Sequence, residues 1–285
     1  VHPAAVALVA GAAVAHAGWN LLAKRVPGGG ALFVWLTAVC SVLVQLPFAI
    51  VAVVLAGGLP AVWWLAAVVS GLIHTGYFVI LQRGYAVGDL SVVYPLARGT
   101  GPMLSVVAAI WLFHERPSAV ALAGAAAVVL GVWVIGGLGS AGTGSWAGGV
   151  GYGILCGTTI AAYTLWDAHA VTALAVSPVF LMFGSAVFES LYLAPYALTR
   201  RPAVAELWRD NKVPVLAVAV LSPLAYVLVL FAMRLAPVSL VAPARELSIV
   251  IGSLGAWLLL REPNPARRLA GAVIVLAGVA AIAAG

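Results

Sequence analysis

Apolar residues run through this chain in long blocks broken by short polar knots. Stretches such as "SVLVQLPFAIVAVVLAG" (41–57) and "LAGAVIVLAGVAAIAAG" (269–285) are apolar on every side, with no alternation of period two. Membrane barrel strands alternate over about ten residues. A segment that is apolar all round must satisfy its backbone internally, and in lipid only an α-helix does so. Breaks at Gly, Pro and charged clusters delimit ten runs, near 4–23, 32–56, 61–82, 90–113, 118–137, 147–168, 177–198, 213–233, 238–260 and 266–284. Each is close to the roughly 20 residues that a bilayer requires. The pattern predicts an all-α integral membrane protein with ten transmembrane helices. Its longest polar connection is "TRRPAVAELWRDNK" (199–212), and the Gly- and Ser-rich "GGLGSAGTGS" (136–145) has the composition of a flexible linker.

The blocks also repeat. Displaced by 147 positions, Trp19-Asn20 falls on Trp166-Asp167, Ala97-Arg98 on Ala244-Arg245, Glu115 on Glu262, and "LAGA" at 122–125 on "LAGA" at 269–272. Ala and Gly coincidences carry little weight in such a composition, but Trp, Arg and Glu at one common offset carry a good deal. Five helices are thereby duplicated. Because five is odd, the second copy must cross the membrane in the opposite sense. The expected organisation is two inverted five-helix repeats, 1–137 and 147–285, joined by the linker 138–146. Inverted repeats around a midplane site are a transporter plan.

Composition strengthens the membrane assignment. Of 285 residues, 64% are hydrophobic and 8% charged, where a soluble domain carries about a quarter charged. Mean hydropathy is +1.14. The first run begins almost at residue 1 without a basic region or clear cleavage site, so it reads as a retained helix rather than a signal peptide. The net charge of +6 sets topology rather than binding nucleic acid, because the aromatics lie inside apolar runs. Lys24, Arg25, Arg83, Arg200, Arg201, Arg209, Lys212, Arg261, Arg267 and Arg268 collect on one face, and only Arg116 and Arg234 on the face of the termini. The positive-inside rule then expects a multi-pass protein of the plasma (inner) membrane, both termini outside and the 199–212 loop cytoplasmic. Cys40 and Cys156 fall in apolar runs and read as small hydrophobes.

Ten helices in a five-plus-five repeat resemble the EamA-like transporters of the drug/metabolite transporter superfamily. So do a Trp-Asn near the end of helix one with Lys24 after it, Glu115 in "HERP", and Glu262 in "REPN". The resemblance spans essentially the whole chain and its motifs are loose. It implies secondary transport of small metabolites, often export of amino acids and related compounds. It also implies a central cavity built from both halves, and no covalent cofactor. Many relatives are described with cytoplasmic termini, which the Lys/Arg count here reverses.

Few polar groups lie inside the runs, and ionisable groups there face a cavity or a partner. His16, Trp19 and Asn20 share one helix face at i, i+3 and i+4, and Tyr163, Trp166 and Asp167 repeat that geometry. The bland alternative is interhelical glue and an interfacial Trp. Arg98, between Pro95 and Gly99, and Arg245, between Pro243 and Glu246, stand beside helix-breaking residues. A guanidinium there is a site for a substrate carboxylate. Otherwise each makes a structural pair, Arg245 with Asp167 or Glu246 and Arg98 with Asn20. The spans place Asn20–Arg98 and Asp167–Arg245 toward opposite faces, as two clusters used alternately. Glu189 lies mid-span on a stripe with Ser185, Tyr192 and Tyr196. Since burial disfavours a charged carboxylate, it is the proton-coupling candidate, or else a static partner of an arginine. His74 and Tyr77, Tyr94, and Ser222 with Tyr226 add rings and hydroxyls, or simply pack. Glu115 and Glu262 fall at helix ends, with a structural or gating role.

Enzyme chemistry finds no support. The Gly-rich stretches lack the Lys-Ser/Thr of a phosphate loop, and the histidines lack metal-ligand spacing. No metal or cofactor is expected, and without an ATPase motif active transport must draw on an ion gradient, a proton gradient being the candidate, or on substrate exchange. The expected function is alternating-access transport of a small zwitterion such as an amino acid, by a monomer or homodimer in the lipid bilayer. Transport of an organic cation or amine (choline-like), held by ring faces and carboxylates, is the alternative. A non-transporting scaffold or channel is a further one.

Overall fold

The computed structural model describes residues 2–23, 26, 30–88, 90–136, 145–260 and 265–285. Eleven α-helices form among them: α1 (Pro3–Ala23), α2 (Gly30–Leu55), α3 (Ala61–Val87), α4 (Leu90–Leu112), α5 (Ala119–Gly136), α6 (Trp146–Thr172), α7 (Pro178–Leu198), α8 (Arg201–Met233), α9 (Val238–Ala244), α10 (Leu247–Leu260) and α11 (Pro265–Ala284). The helices follow the apolar runs. By length and apolarity α1, α2, α3, α7 and α8 each suffice to cross a bilayer. Linker residues 137–144, Lys24, Arg25, Arg261 and Glu262 lie outside the described residues.

Two expectations change. The stretch 199–212 is not an irregular loop: residues 201–210 are helical and continue into α8 across a kink at Asn211 (φ −132°, ψ 30°). Its apolar side chains Val204, Leu207 and Trp208 cover Leu36, Cys40, Val215 and Ala219, while Arg209 and Asp210 pair in solvent at 2.9 Å. The hydrogen bond from Arg209 holds the Asp210 carboxyl below its ordinary value. The second change concerns the prolines. α4 runs unbroken through Pro95 and Pro102, but its counterpart stops at Ala244 and resumes at Leu247 as α10. The interruption is a tightening rather than an unwinding. Glu246 N–H bonds Pro243 O (3.0 Å), Ser248 N–H bonds Arg245 O (3.2 Å) and Ile249 N–H bonds Glu246 O (2.9 Å), all at i→i−3.

Small residues set the helix spacing. Gly149, Gly153 and Gly157 fall one turn apart on α6. A Cβ on Gly153 would sit 2.8 Å from Leu96 Cβ, and one on Gly157 2.7 Å from Thr100 Cβ. α4 and α6 therefore pack backbone-close, as small-residue stripes allow in lipid. α5 and α11 cross through four glycines. A Cβ on Gly124 would meet Gly278 O at 2.6 Å, and one on Gly131 would meet Gly271 O at 2.8 Å. As one index rises the other falls, so the two helices run antiparallel. The neighbours also exchange in pairs: α1 packs on α8 and α10 as α6 packs on α3 and α4, and α2 packs on α8 as α7 packs on α3.

Candidate functional site

α6 carries the centre of the polar constellation. Asp167 is fully buried, and its Oδ2 accepts a hydrogen bond from Tyr226 Oη of α8 at 2.9 Å. His74 of α3 brings Nε2 to 4.0 Å from the same oxygen, and Ser70 also stands close without a hydrogen bond to Oδ1. The imidazole is fixed from behind: its Nδ1 lies 2.9 Å from Ser70 O, one turn back on α3. Its ring stacks on Tyr163 at 4.2 Å between centroids and meets Tyr226 edge-on at 5.6 Å. Tyr77 meets Tyr163 edge-on at 5.9 Å. His74, Tyr77, Tyr163, Asp167 and Tyr226, drawn from three helices, thus form one contiguous cluster.

The arginines join it from the other side. Arg98 Nη2 of α4 lies 2.8 Å from Glu246 Oε2 and donates to Ser248 Oγ at 3.4 Å. Arg245 Nε lies 3.5 Å from Glu246 Oε1, and its guanidinium carbon stands 5.8 Å from the centre of the Tyr163 ring. The tightened turn makes this possible, since it presents Arg245 and Glu246 inward together. All three charged groups are buried. The approaches to Glu246 are close but not in hydrogen-bond alignment, and Arg245 Nε and Nη2 and Arg98 Nε have no hydrogen-bond partner among the described residues. Two guanidiniums share one carboxylate, with N–H groups to spare. Burial of a charge is costly unless it is paired and hydrogen-bonded, so this is the arrangement into which an added anion fits.

These contacts correct the expected pairing. Arg98 pairs with Glu246, not with Asn20, and the two expected clusters merge into one through Glu246 and Tyr163. Asn20 turns back on its own helix, donating from Nδ2 to His16 O at 2.8 Å. His16 and Trp19 stay together edge-on at 4.9 Å, and the fields of Arg98 and Arg245 reach His16. The Trp19 indole N–H is buried without a partner among the described residues, whereas its mate Trp166 donates to Ala66 O at 3.0 Å. That bond ties α6 to α3 and spends the Trp166 donor on packing. Tyr94 stands within electrostatic range of Arg98 and Glu246.

Glu189 of α7 is separate from this cluster. Its backbone lies against Gly71 of α3, and its Oε1 is buried with no hydrogen-bond partner among the described residues. It pairs with neither arginine. Glu115 has a defined job. Its carboxylate accepts the backbone N–H of Val238 (2.7 Å) and Ser239 (2.8 Å), capping the first turn of α9 where free N–H groups and the helix dipole favour an anion. Ser70 and Ser248, which hold His74 and Arg98, escaped the sequence reading, although each sits one turn from the residue it serves or from its neighbour. The apolar crevice lined by Ala5, Val9, Leu240, Val241, Leu247 and Ile282 carries no polar side chain and is not the site.

Comparisons with known proteins agree with this architecture. The sequence profile of the EamA-like transporter family matches residues 147–284. A crystal structure described only as that of a protein superposes with a TM-score of 0.76 at 16% identity, covering 99% of this chain and 96% of that one. At that identity the likeness speaks for the fold alone. None of the curated proteins matches the chain in sequence.

Proposed function

We propose, for a multi-pass membrane protein whose residues 147–284 match the profile of the EamA-like transporter family, that it carries a small zwitterion, an amino acid or close relative, by alternating access. The observation that carries this reading is the pair of buried guanidiniums around a single Glu246, with Arg245 Nε and Nη2 unbonded among the described residues. A substrate carboxylate supplies the missing acceptors. Asp167, which the fields of His74 and Arg245 reach, gives an ammonium group its counter-charge. The rings of Tyr163, Tyr226 and Tyr77 accommodate the apolar remainder.

The inverted-repeat reading is supported by the exchange of neighbours between α1 and α6 and between α2 and α7, and by the antiparallel glycine crossing of α5 and α11. Under that reading all ten expected spans cross the bilayer, α9 and α10 as one. Residues 1–137 and 147–285 are the rocking halves. The Lys/Arg distribution supports a plasma-membrane protein with both termini outside and residues 199–212 in the cytoplasm. Export is the direction we assign, from the family resemblance.

The test is uptake into proteoliposomes of the full chain, challenged with neutral amino acids and with quaternary amines. Saturable amino-acid flux is expected. Saturable flux of amines alone moves the assignment to an organic-cation carrier. Absence of any saturable flux leaves a scaffold or channel.

A further inference from the structure

We infer that the proton-binding site of this protein is the His74–Asp167 pair rather than Glu189. The inference rests on the transporter reading only for its use in a cycle; the site itself stands on geometry. His74 Nδ1 stands 2.9 Å from Ser70 O and 3.4 Å from Ser70 Oγ; the carbonyl oxygen can only accept and the hydroxyl donates to Ser185 Oγ, so both contacts are met when Nδ1 carries the hydrogen. In the neutral ring, Nε2 is then a bare lone pair. It faces Asp167 Oδ2 at 4.0 Å. Two acceptors confront each other in a site where Asp167 is fully buried. One proton resolves the confrontation. It forms an N–H bond at Nε2, giving an imidazolium beside a carboxylate, or an O–H bond on the carboxyl that donates to Nε2. No other bond forms or breaks, the pair gains one positive charge, and release returns the same proton.

The surroundings fit this use. Tyr226 Oη donates to the same Oδ2 at 2.9 Å, so the carboxylate is held and its lone pairs aimed. Tyr163 stacks on the imidazole at 4.2 Å, a ring face well placed for a cation. The groups facing the pair are Ser70 and Tyr77 from α3, Tyr163 from α6, Tyr226 from α8 and Arg245 from the α9–α10 turn. Arg98 of α4 and Glu246 act on Tyr163. Arg245 links the pair to the proposed carboxylate site, because its field acts on Tyr163 and Asp167 together. Glu189 on α7 has a lone buried oxygen but no second titratable group within bonding reach among the described residues.

The experiment is nitrogen NMR of the full chain in liposomes with labelled histidine, titrated across pH, the His74 signal being assigned by its loss in His74→Gln. The neutral ring is expected to show the hydrogen on Nδ1. Asp167→Asn is expected to move the His74 midpoint by about one pH unit or more, the usual effect of an opposite charge at this range. Tyr226→Phe moves it in the opposite sense, because the carboxylate loses its other donor. Glu189→Gln leaves it in place. A midpoint indifferent to Asp167→Asn and Tyr226→Phe overturns the pair. In flux measurements with the amino-acid panel, His74→Gln should lose gradient dependence and Glu189→Gln should keep it; the reverse also overturns it. If wild-type protein moves no amino acid, the transport reading fails, but the NMR result still decides the proton site.

Discussion

At the scale of single residues, the same types of side chain are put to different uses in the two halves. Trp19 and Trp166 correspond at the 147-residue offset, yet Trp166 has spent its N–H on Ala66 O and Trp19 has not. Trp166→Phe should therefore loosen the α3–α6 contact and cost the about 1 kcal/mol of a lost hydrogen bond, read as a lower Tm by differential scanning fluorimetry in detergent. Trp19→Phe should leave Tm unchanged. Glu115 makes a second residue-scale case. Glu115→Gln replaces a charged cap with a neutral one that can still accept only one of two N–H groups, so stability should fall by about 1–2 kcal/mol. Glu115→Asp, with a carboxylate one methylene shorter, should recover part of it. A Tm unmoved by Glu115→Gln would show that the two backbone contacts contribute nothing. The sequence reading singled out every member of the central cluster save Ser70 and Ser248. It could not pair them, because Arg98 and Glu246 lie on different helices and a guanidinium's partner depends on how those helices pack. A hydroxyl one turn from a functional residue is common enough to carry no signal of its own.

At the scale of elements, long apolar runs announced the helices because a bilayer leaves no other way to satisfy their backbone. Two features stayed hidden for physical reasons. Residues 201–210 read as a polar loop because their apolar stripe is only Val204, Leu207 and Trp208, a one-sided pattern. The interruption at Arg245 had an apparent equal at Arg98, since both arginines follow a proline. Only α9–α10 breaks, where the proline stands two residues before the arginine rather than three and Glu246 replaces Gly99. The α5–α11 crossing yields the element-scale prediction. A Cβ on Gly131 would lie 2.6 Å from Val275 Cγ2, and one on Gly271 2.5 Å from Ile135 Cγ1. Gly131→Ala and Gly271→Ala should each destabilise by about 1–3 kcal/mol, as overpacking does. Each forces the same two backbones apart, so the double substitution should cost clearly less than the sum. Full additivity would mean that the two sites do not share one contact.

At the scale of the whole molecule, the account joins a scaffold with paired neighbours to a site that lacks that symmetry. The helix contacts exchange between the halves, whereas the charges do not. Arg98 and Arg245 correspond, but Glu246 has Gly99 at its equivalent position, and Asp167 has Asn20. A single carboxylate therefore serves both arginines, and the buried centre keeps spare donors for an anionic group. Orientation is a separate whole-molecule prediction: cysteines placed at both termini should react with an impermeant maleimide on intact cells. Labelling only after permeabilisation would reverse the orientation without touching the site. The most direct measurement of the central claim is counterflow of a radiolabelled neutral amino acid in proteoliposomes, comparing wild type with Arg245→Gln. Wild type should show saturable counterflow, and Arg245→Gln should raise the half-saturating concentration about tenfold or more, the equivalent of roughly 1.5–3 kcal/mol for a charged hydrogen bond. Saturable counterflow unchanged in Arg245→Gln would contradict the assignment of the buried guanidiniums to the substrate carboxylate.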